Sequence, residues 1–280
     1  MPTVSLDTGV DLYYRDVGDG PPLVCVHGGF MSHHVWNPLF TTLPEHHRVV
    51  AVDLRGHGRS EAPYGTCTDD ALAADLDAFL DSLDLSRVTY LGWSLGATTG
   101  VTYLGQFEDD RIDRMILSST GIFEGLARES RRRTSDTPGT DDNFLDFAAL
   151  RQAHRQDNPE AMWQFIDSLF TENTSEYTRE WLYRIALQTP LDVVLDVLKL
   201  YETMDYERLY EYATTIDRPV LAIQGAHDST ASVADTAHTA GEVFPAGKFV
   251  AFDESAHVPF VEQPDRFVDT VRTFATGNRE

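Results

Sequence analysis

The residues best suited to chemistry are a serine, an aspartate and a histidine, each just beyond an apolar run. Leu91-Gly92-Trp93-Ser94-Leu95-Gly96-Ala97 reads G-x-S-x-G, between the β-favouring Val88-Thr89-Tyr90-Leu91 and a small, apolar stretch reaching Leu104. That pattern predicts a strand, a sharp turn and a buried helix. A serine at the apex of so tight a turn needs neighbours without bulk, which Gly92 and Gly96 supply. Its hydroxyl then stands at a helix N-terminus, where outward-pointing N–H groups favour negative charge. A serine hydroxyl cannot attack an acyl carbon unaided. It needs a base titrating near neutrality, and that base needs an orienting carboxylate. His257, followed by Val258-Pro259-Phe260, is the candidate base, and Asp228, closing Gly225-Ala226-His227-Asp228, is the candidate acid, with Glu124 and Asp253 as rivals. The oxyanion formed on attack requires preorganised N–H donors. The Leu95 amide, next after the serine, is one. Gly29, in His27-Gly28-Gly29-Phe30, is the choice for the other, because glycine lets the backbone approach a ligand closely; Phe30 is the fallback.

The elements that must position these groups follow from periodicity. Leu23-Val24-Cys25-Val26, Arg48-Val49-Val50-Ala51-Val52, the run before Ser94, Arg114–Ser118 and Pro219–Gly225 are near-continuous apolar runs, as expected of strands covered on both faces. Val10–Asp16 and Phe249–Phe252 complete the strands. Helices alternate with them: one capped by Thr68 with Leu72, Leu76, Phe79, Leu80 and Leu83 at helical spacing, one after Ser94, one over Ser232–Glu242 and one from Pro264. Such alternation predicts a mostly parallel sheet with helices on both faces, and function then collects at the carboxyl ends of the strands. Between Ile122 and Ala213 no buried strand is evident. Arg128 to Asp142 reads as a mobile loop. Helices are expected over Phe144–His154, Pro159–Phe170, Ser175–Gln188, Leu191–Glu202 and Tyr206–Tyr212, with Pro159 at a first helical position. The expected division is a core of residues 1–121 and 214–280, with 122–213 an inserted helical cap. Trp163, Phe165, Phe170, Trp181, Tyr183 and Tyr201 are its candidates for lining a cavity. Phe30, Trp93 and Trp163 are the pocket residues chosen.

Bulk properties narrow the class. Of 280 residues, 42% are hydrophobic, enough for one large core or a core with an insertion. Acidic residues number 45 against 22 basic, a net charge of −23, and only Lys199 and Lys248 are lysines. So negative a surface repels nucleic acid and anionic membranes. The acid-rich, lysine-poor balance resembles that of proteins from salt-loving archaea. No apolar run approaches the ~18 residues of a membrane span. The N-terminus lacks a basic, apolar leader, so a cytoplasmic location is expected. Cys25 and Cys67 read as packing residues. The pairs His33-His34 and His46-His47 are adjacent in loops, where two side chains rarely converge on one ion, so no metal is expected.

Taken together, His27-Gly28-Gly29 with Trp36, Asp53-Leu54-Arg55-Gly56-His57-Gly58-Arg59-Ser60, Gly92-Trp93-Ser94-Leu95-Gly96, Gly225-Ala226-His227-Asp228 and His257-Val258-Pro259 with Glu262-Gln263-Pro264 make the chain resemble the α/β-hydrolase superfamily. The resemblance is to its small bacterial esterases, C–C hydrolases, lactonases and cofactor-free haloperoxidases. It implies an eight-stranded, mostly parallel sheet. It also implies Ser94, Asp228 and His257 as nucleophile, acid and base, in the chain order of that fold, with His27 and Asp53 shaping their loops. A serine at the nucleophile position argues against haloalkane dehalogenase and epoxide hydrolase. The expected activity is hydrolysis of a small carboxylic ester or related acyl compound through an acyl-enzyme, without a cofactor, by a monomer or homodimer. C–C bond, lactone or peracid chemistry at the same site is the alternative, and a degenerate hydrolase acting as a ligand receptor is the third reading.

Overall fold

The apolar runs become the strands of one sheet. The computed structural model describes residues 2–107, 110–134, 146–156, 158 and 160–277. Its strands are β1 (Thr3–Ser5), β2 (Asp11–Val17), β3 (Pro22–Val26), β4 (Arg48–Val52), β5 (Val88–Trp93), β6 (Ile112–Ser118), β7 (Val220–Gly225) and β8 (Gly247–Phe252). They lie in the order β1-β2-β4-β3-β5-β6-β7-β8. β2 runs antiparallel to both β1 and β4, and every other pairing is parallel. β5 and β7 are buried at every position, which is why their sequences show no alternation, whereas edge strand β8 is half-buried along most of its length.

Helices cover both faces. α1 (Asp69–Ser82) starts at Thr68, whose hydroxyl accepts the Ala71 N–H at 3.3 Å, and it buries Leu72, Leu76, Phe79 and Leu80. α2 (Leu95–Gln106) is buried over Leu95 to Tyr103. Among the described residues, six helices lie between β6 and β7: α3 (Ile122–Thr134), α4 (Phe147–Arg155), α5 (Ala161–Ser168), α6 (Glu176–Ala186), α7 (Leu191–Glu202) and α8 (Tyr206–Thr215). α4 packs on α7, α5 on α6, and α8 on α2 and α3. After β7 come α9 (Val233–His238), which continues as a wider turn to Val243, then α10 (Pro259–Glu262) and α11 (Pro264–Thr276). No described helix is long and apolar enough to cross a membrane.

β1 carries no sequence signal, because three residues held only by β2 leave no periodicity; with it the sheet has the eight strands expected. One expectation is overturned. The segment from Arg128 is helical as far as Thr134, because α3 buries Ile122, Phe123, Leu126 and Ala127 while Glu129 accepts from both Arg132 and Arg133. Those pairings at i,i+3 and i,i+4 support a helix in what reads as a charged loop. The rest of the expected loop, 135–142, and Pro159 lie outside the described residues.

Candidate active site

The β5–α2 elbow places Ser94. Its backbone is at φ 53° and ψ −113°, a left-handed conformation costly for a side chain-bearing residue. The flanking glycines are sterically required. A Cβ on Gly92 would lie 2.5 Å from the Gly96 carbonyl oxygen, and one on Gly96 would collide with the Val26 carbonyl. The Ser94 N–H donates to the Ser118 carbonyl at 3.1 Å, and the Thr120 hydroxyl donates to the Ser94 carbonyl at 3.2 Å, fastening the turn to the end of β6.

His257 follows β8. Its Nδ1 lies 2.8 Å from Oδ2 of Asp228, just beyond β7, and the Asp228 carboxylate is fully buried. A proton shared along that bond belongs to Nδ1, which leaves Nε2 as an acceptor. Asp228 is held by more than the imidazole. Gln224 Nε2 donates to Oδ2 at 2.7 Å, and the Thr230 amide and hydroxyl each donate to Oδ1 at 2.8 Å. The Thr230 hydroxyl also lies 3.2 Å from His257 Nδ1. His257 is fixed through its backbone as well: its N–H donates to Leu169 at the end of α5 (3.0 Å), and its carbonyl accepts the Trp93 indole N–H (2.8 Å). The rival carboxylates lie elsewhere. Glu124 is on α3, where burial and the nearby Asp235 raise its pKa, and Asp253 pairs with Arg266 at 2.7 Å on the surface.

Ser94 and His257 line one cavity of about 50 Å³, together with Gly29, Trp93, Phe165 and Tyr201. Leu95 is the first residue of α2, where amides have no intrahelical partner. Phe30, also in the loop after β3, has φ 67° and is buried edge-on against Phe165, with ring centroids 5.5 Å apart; it is not among the lining residues. Nor is Trp163, which packs against Tyr183 at 5.3 Å. α5 turns its Phe165 to the cavity and Trp163 away from it, a choice of helix rotation that composition does not reveal. Of the other aromatic candidates, Tyr201 lines the cavity, while Phe170, Trp181 and Tyr183 do not. Thr230 and Gln224 were not anticipated. Thr230 had a readable signal: an Asp two residues before a Thr at a strand end can close an Asx turn.

A second polar network holds the loops beneath. His27 Nε2 accepts the Leu54 N–H at 3.0 Å, and Nδ1 faces the Gly28 carbonyl at 2.7 Å. Burial, reinforced by neighbouring His57, lowers the His27 pKa to about 3, so the ring is neutral. Asp53 accepts from the His33 amide (2.5 Å) and ring (2.8 Å) and from the Arg59 amide (3.0 Å). Among the described residues, no group of three or more His, Cys, Asp or Glu side chains is placed to hold a metal.

The chain as a whole has known relatives. The sequence profile of the family described as alpha/beta hydrolase fold matches residues 21–264. A pimeloyl-acyl-carrier-protein methyl ester esterase from Nitrosomonas europaea is 28% identical over 264 residues, covering 92% of this chain and 96% of its own. A putative non-heme chloroperoxidase from Synechocystis is 27% identical over 236 residues, covering 81% of each chain. Among solved structures, the enol-lactonase from Burkholderia xenovorans superposes with a TM-score of 0.80 at 26% identity, covering 98% of this chain and 100% of its own. An elbow serine after β5, a carboxylate after β7, a histidine after β8 and a profile match across most of the sequence lead to one conclusion: the chain belongs to the α/β-hydrolase family.

Proposed function

We propose that this protein is a serine hydrolase that cleaves carboxylic esters or related acyl compounds through an acyl-enzyme. Ser94 Oγ attacks the acyl carbon. His257 Nε2 takes its proton and delivers it to the leaving alcohol, while Asp228 holds the imidazole and stabilises its charged form. The amides of Leu95 and Gly29 hold the oxyanion. Water activated by His257 then releases the acid and restores Ser94. The observation that carries this reading is the 2.8 Å His257–Asp228 pair, whose histidine lines the same cavity as the strained serine. No organic cofactor or metal has a part in these steps.

The segment 122–213 acts as a cap in this reading, since Phe147, Phe165, Leu169, Tyr201 and Met204 come from it to enclose the cavity. A space of about 50 Å³ favours short acyl groups unless the cap opens. The likeness to an enol-lactonase and a putative chloroperoxidase supports a second reading, lactone opening or peracid formation at the same serine. A panel of p-nitrophenyl esters from acetate to decanoate, lactones and a vinylogous diketone, run on wild type and Ser94→Ala, tests the choice. Short esters are expected to be hydrolysed by wild type alone. Lactone or diketone turnover without ester turnover would replace the first reading with the second.

A further inference from the structure

Tyr201, on α7, brings a phenol to the point where charge would develop. α7 rests directly on the loop after β3: a Cβ placed on Gly29 would lie 2.6 Å from Tyr201 Oη and 2.9 Å from Val197 Cγ1. Gly29 therefore leaves room for the hydroxyl, which a Cβ at this position would crowd. Tyr201 lines the cavity with Gly29, Ser94 and His257, and its oxygen lies against the Gly29 backbone. The ring is braced by Phe147, centroid to centroid 4.8 Å. Burial holds the phenol well above its ordinary pKa, although the contacts from Ser94 and Gly29 pull the other way. It is thus a protonated donor throughout the working pH range.

The oxygen of a carbonyl attacked by Ser94 stays one atom removed from Oγ and must reach the Gly29 amide. A hydroxyl that lies against Gly29 in the cavity that Ser94 lines is within reach of that oxygen. We propose that the Tyr201 hydroxyl donates a hydrogen bond to the oxyanion, as a third donor beside the Leu95 and Gly29 amides. In the resting site Oη lies beside the place the substrate oxygen will take. As the carbonyl enters and accepts the Gly29 N–H, the hydroxyl turns its proton towards the same oxygen. No proton is transferred, and the bond relaxes when the intermediate collapses. Because Tyr201 belongs to α7 and the amides to the core, full oxyanion stabilisation requires the helix to be seated. The proposal rests on the serine-hydrolase reading above.

Steady-state hydrolysis of p-nitrophenyl acetate by Tyr201→Phe, with the rate of Ser94 phosphonylation by a fluorophosphonate, tests it. The variant keeps the ring and its packing, and an unchanged melting curve establishes that it folds. The expected result is a loss of about 10–100-fold in kcat, with KM altered less than about threefold and a parallel fall in phosphonylation rate. An unchanged or raised kcat would overturn the proposal and make Tyr201 a removable plug. A rise in KM alone would also overturn it, making the contact one of ground-state binding. Wild-type protein that neither turns over the ester nor labels at Ser94 would remove the hydrolase reading itself, and the proposal with it.

Discussion

The indole N–H of Trp93 donates to the main-chain carbonyl of His257 across 2.8 Å, and the two rings lie 5.5 Å apart. The residue before the candidate nucleophile thus fixes the loop that carries the candidate base. Trp93→Phe would leave a buried carbonyl unpaired while keeping an aromatic ring at the cavity wall. The expected cost is about 1–3 kcal/mol of stability, read as a melting temperature lower by roughly 2–8 °C, and a fall of about tenfold in kcat as the imidazole loses its register. Thermal melts and ester kinetics on the same preparation check both. A variant with unaltered kcat would show that the loop is held without this bond.

The carboxylate assignment separates cleanly from its rivals. Asp228→Asn keeps the shape but removes the charge and the acceptor that fix the imidazole tautomer, and is expected to lower kcat by about 10³–10⁴-fold. Glu124→Gln and Asp253→Asn, away from His257, are expected to stay within about twofold of wild type. Thr230→Val, which deletes one hydroxyl donor to Asp228 while leaving the amide bond, is expected to cost about tenfold in kcat. Steady-state kinetics on the four variants decide it. A dead Glu124→Gln beside an active Asp228→Asn would move the acid to α3.

Much of this arrangement could be read before any coordinates. β3, β4, β5 and β7 announce themselves as unbroken apolar runs because both faces are covered, and Ser94 is legible because Gly92 and Gly96 are forced by backbone collisions. What stayed hidden depends on rotation and docking. Phe165 rather than Trp163 faces the cavity because of how α5 is turned. Tyr201 looks like any aromatic residue of an amphipathic helix until α7 is laid across Gly29. α3 was obscured by its own charges, which are paired along the helix rather than solvated in a loop.

Two buried histidines give the fold a predictable acid sensitivity. Burial lowers His27 to about 3 and His57 to about 4, from an ordinary 6.5. Between those values the unfolded chain binds protons that the folded chain refuses, so stability rises with pH across this window. It is fully present above about 6.5 and is lost progressively as pH falls towards 4. Each histidine contributes a slope of at most about 1.4 kcal/mol per pH unit. His57 Nδ1 lies 2.9 Å from the Arg55 carbonyl, and its Nε2 has no partner among the described residues, so His57→Asn removes the titrating group while keeping a donor. Urea denaturation from pH 4.5 to 7 is expected to show a shallower dependence in His57→Asn; identical slopes would contradict the assignment.

The net charge of −23 makes salt a second lever. Self-repulsion among surface carboxylates weakens as the screening length shrinks from about 10 Å at 0.1 M to about 3 Å at 1 M. If the acid-rich composition is an adaptation to salt, the melting temperature is expected to climb steadily from 0.1 to 3 M KCl. A flat or falling curve would mean the acidity serves something else.

The proposed chemistry begins with Ser94 as an activated nucleophile. Incubation of folded wild-type protein with a fluorophosphonate, followed by intact mass and peptide mapping, reads this directly. One adduct per chain is expected, located on Ser94, formed within minutes and absent from Ser94→Ala and from denatured wild type. A folded protein that stays unmodified at Ser94, or that is modified elsewhere with Ser94 untouched, would contradict the mechanism at its first step.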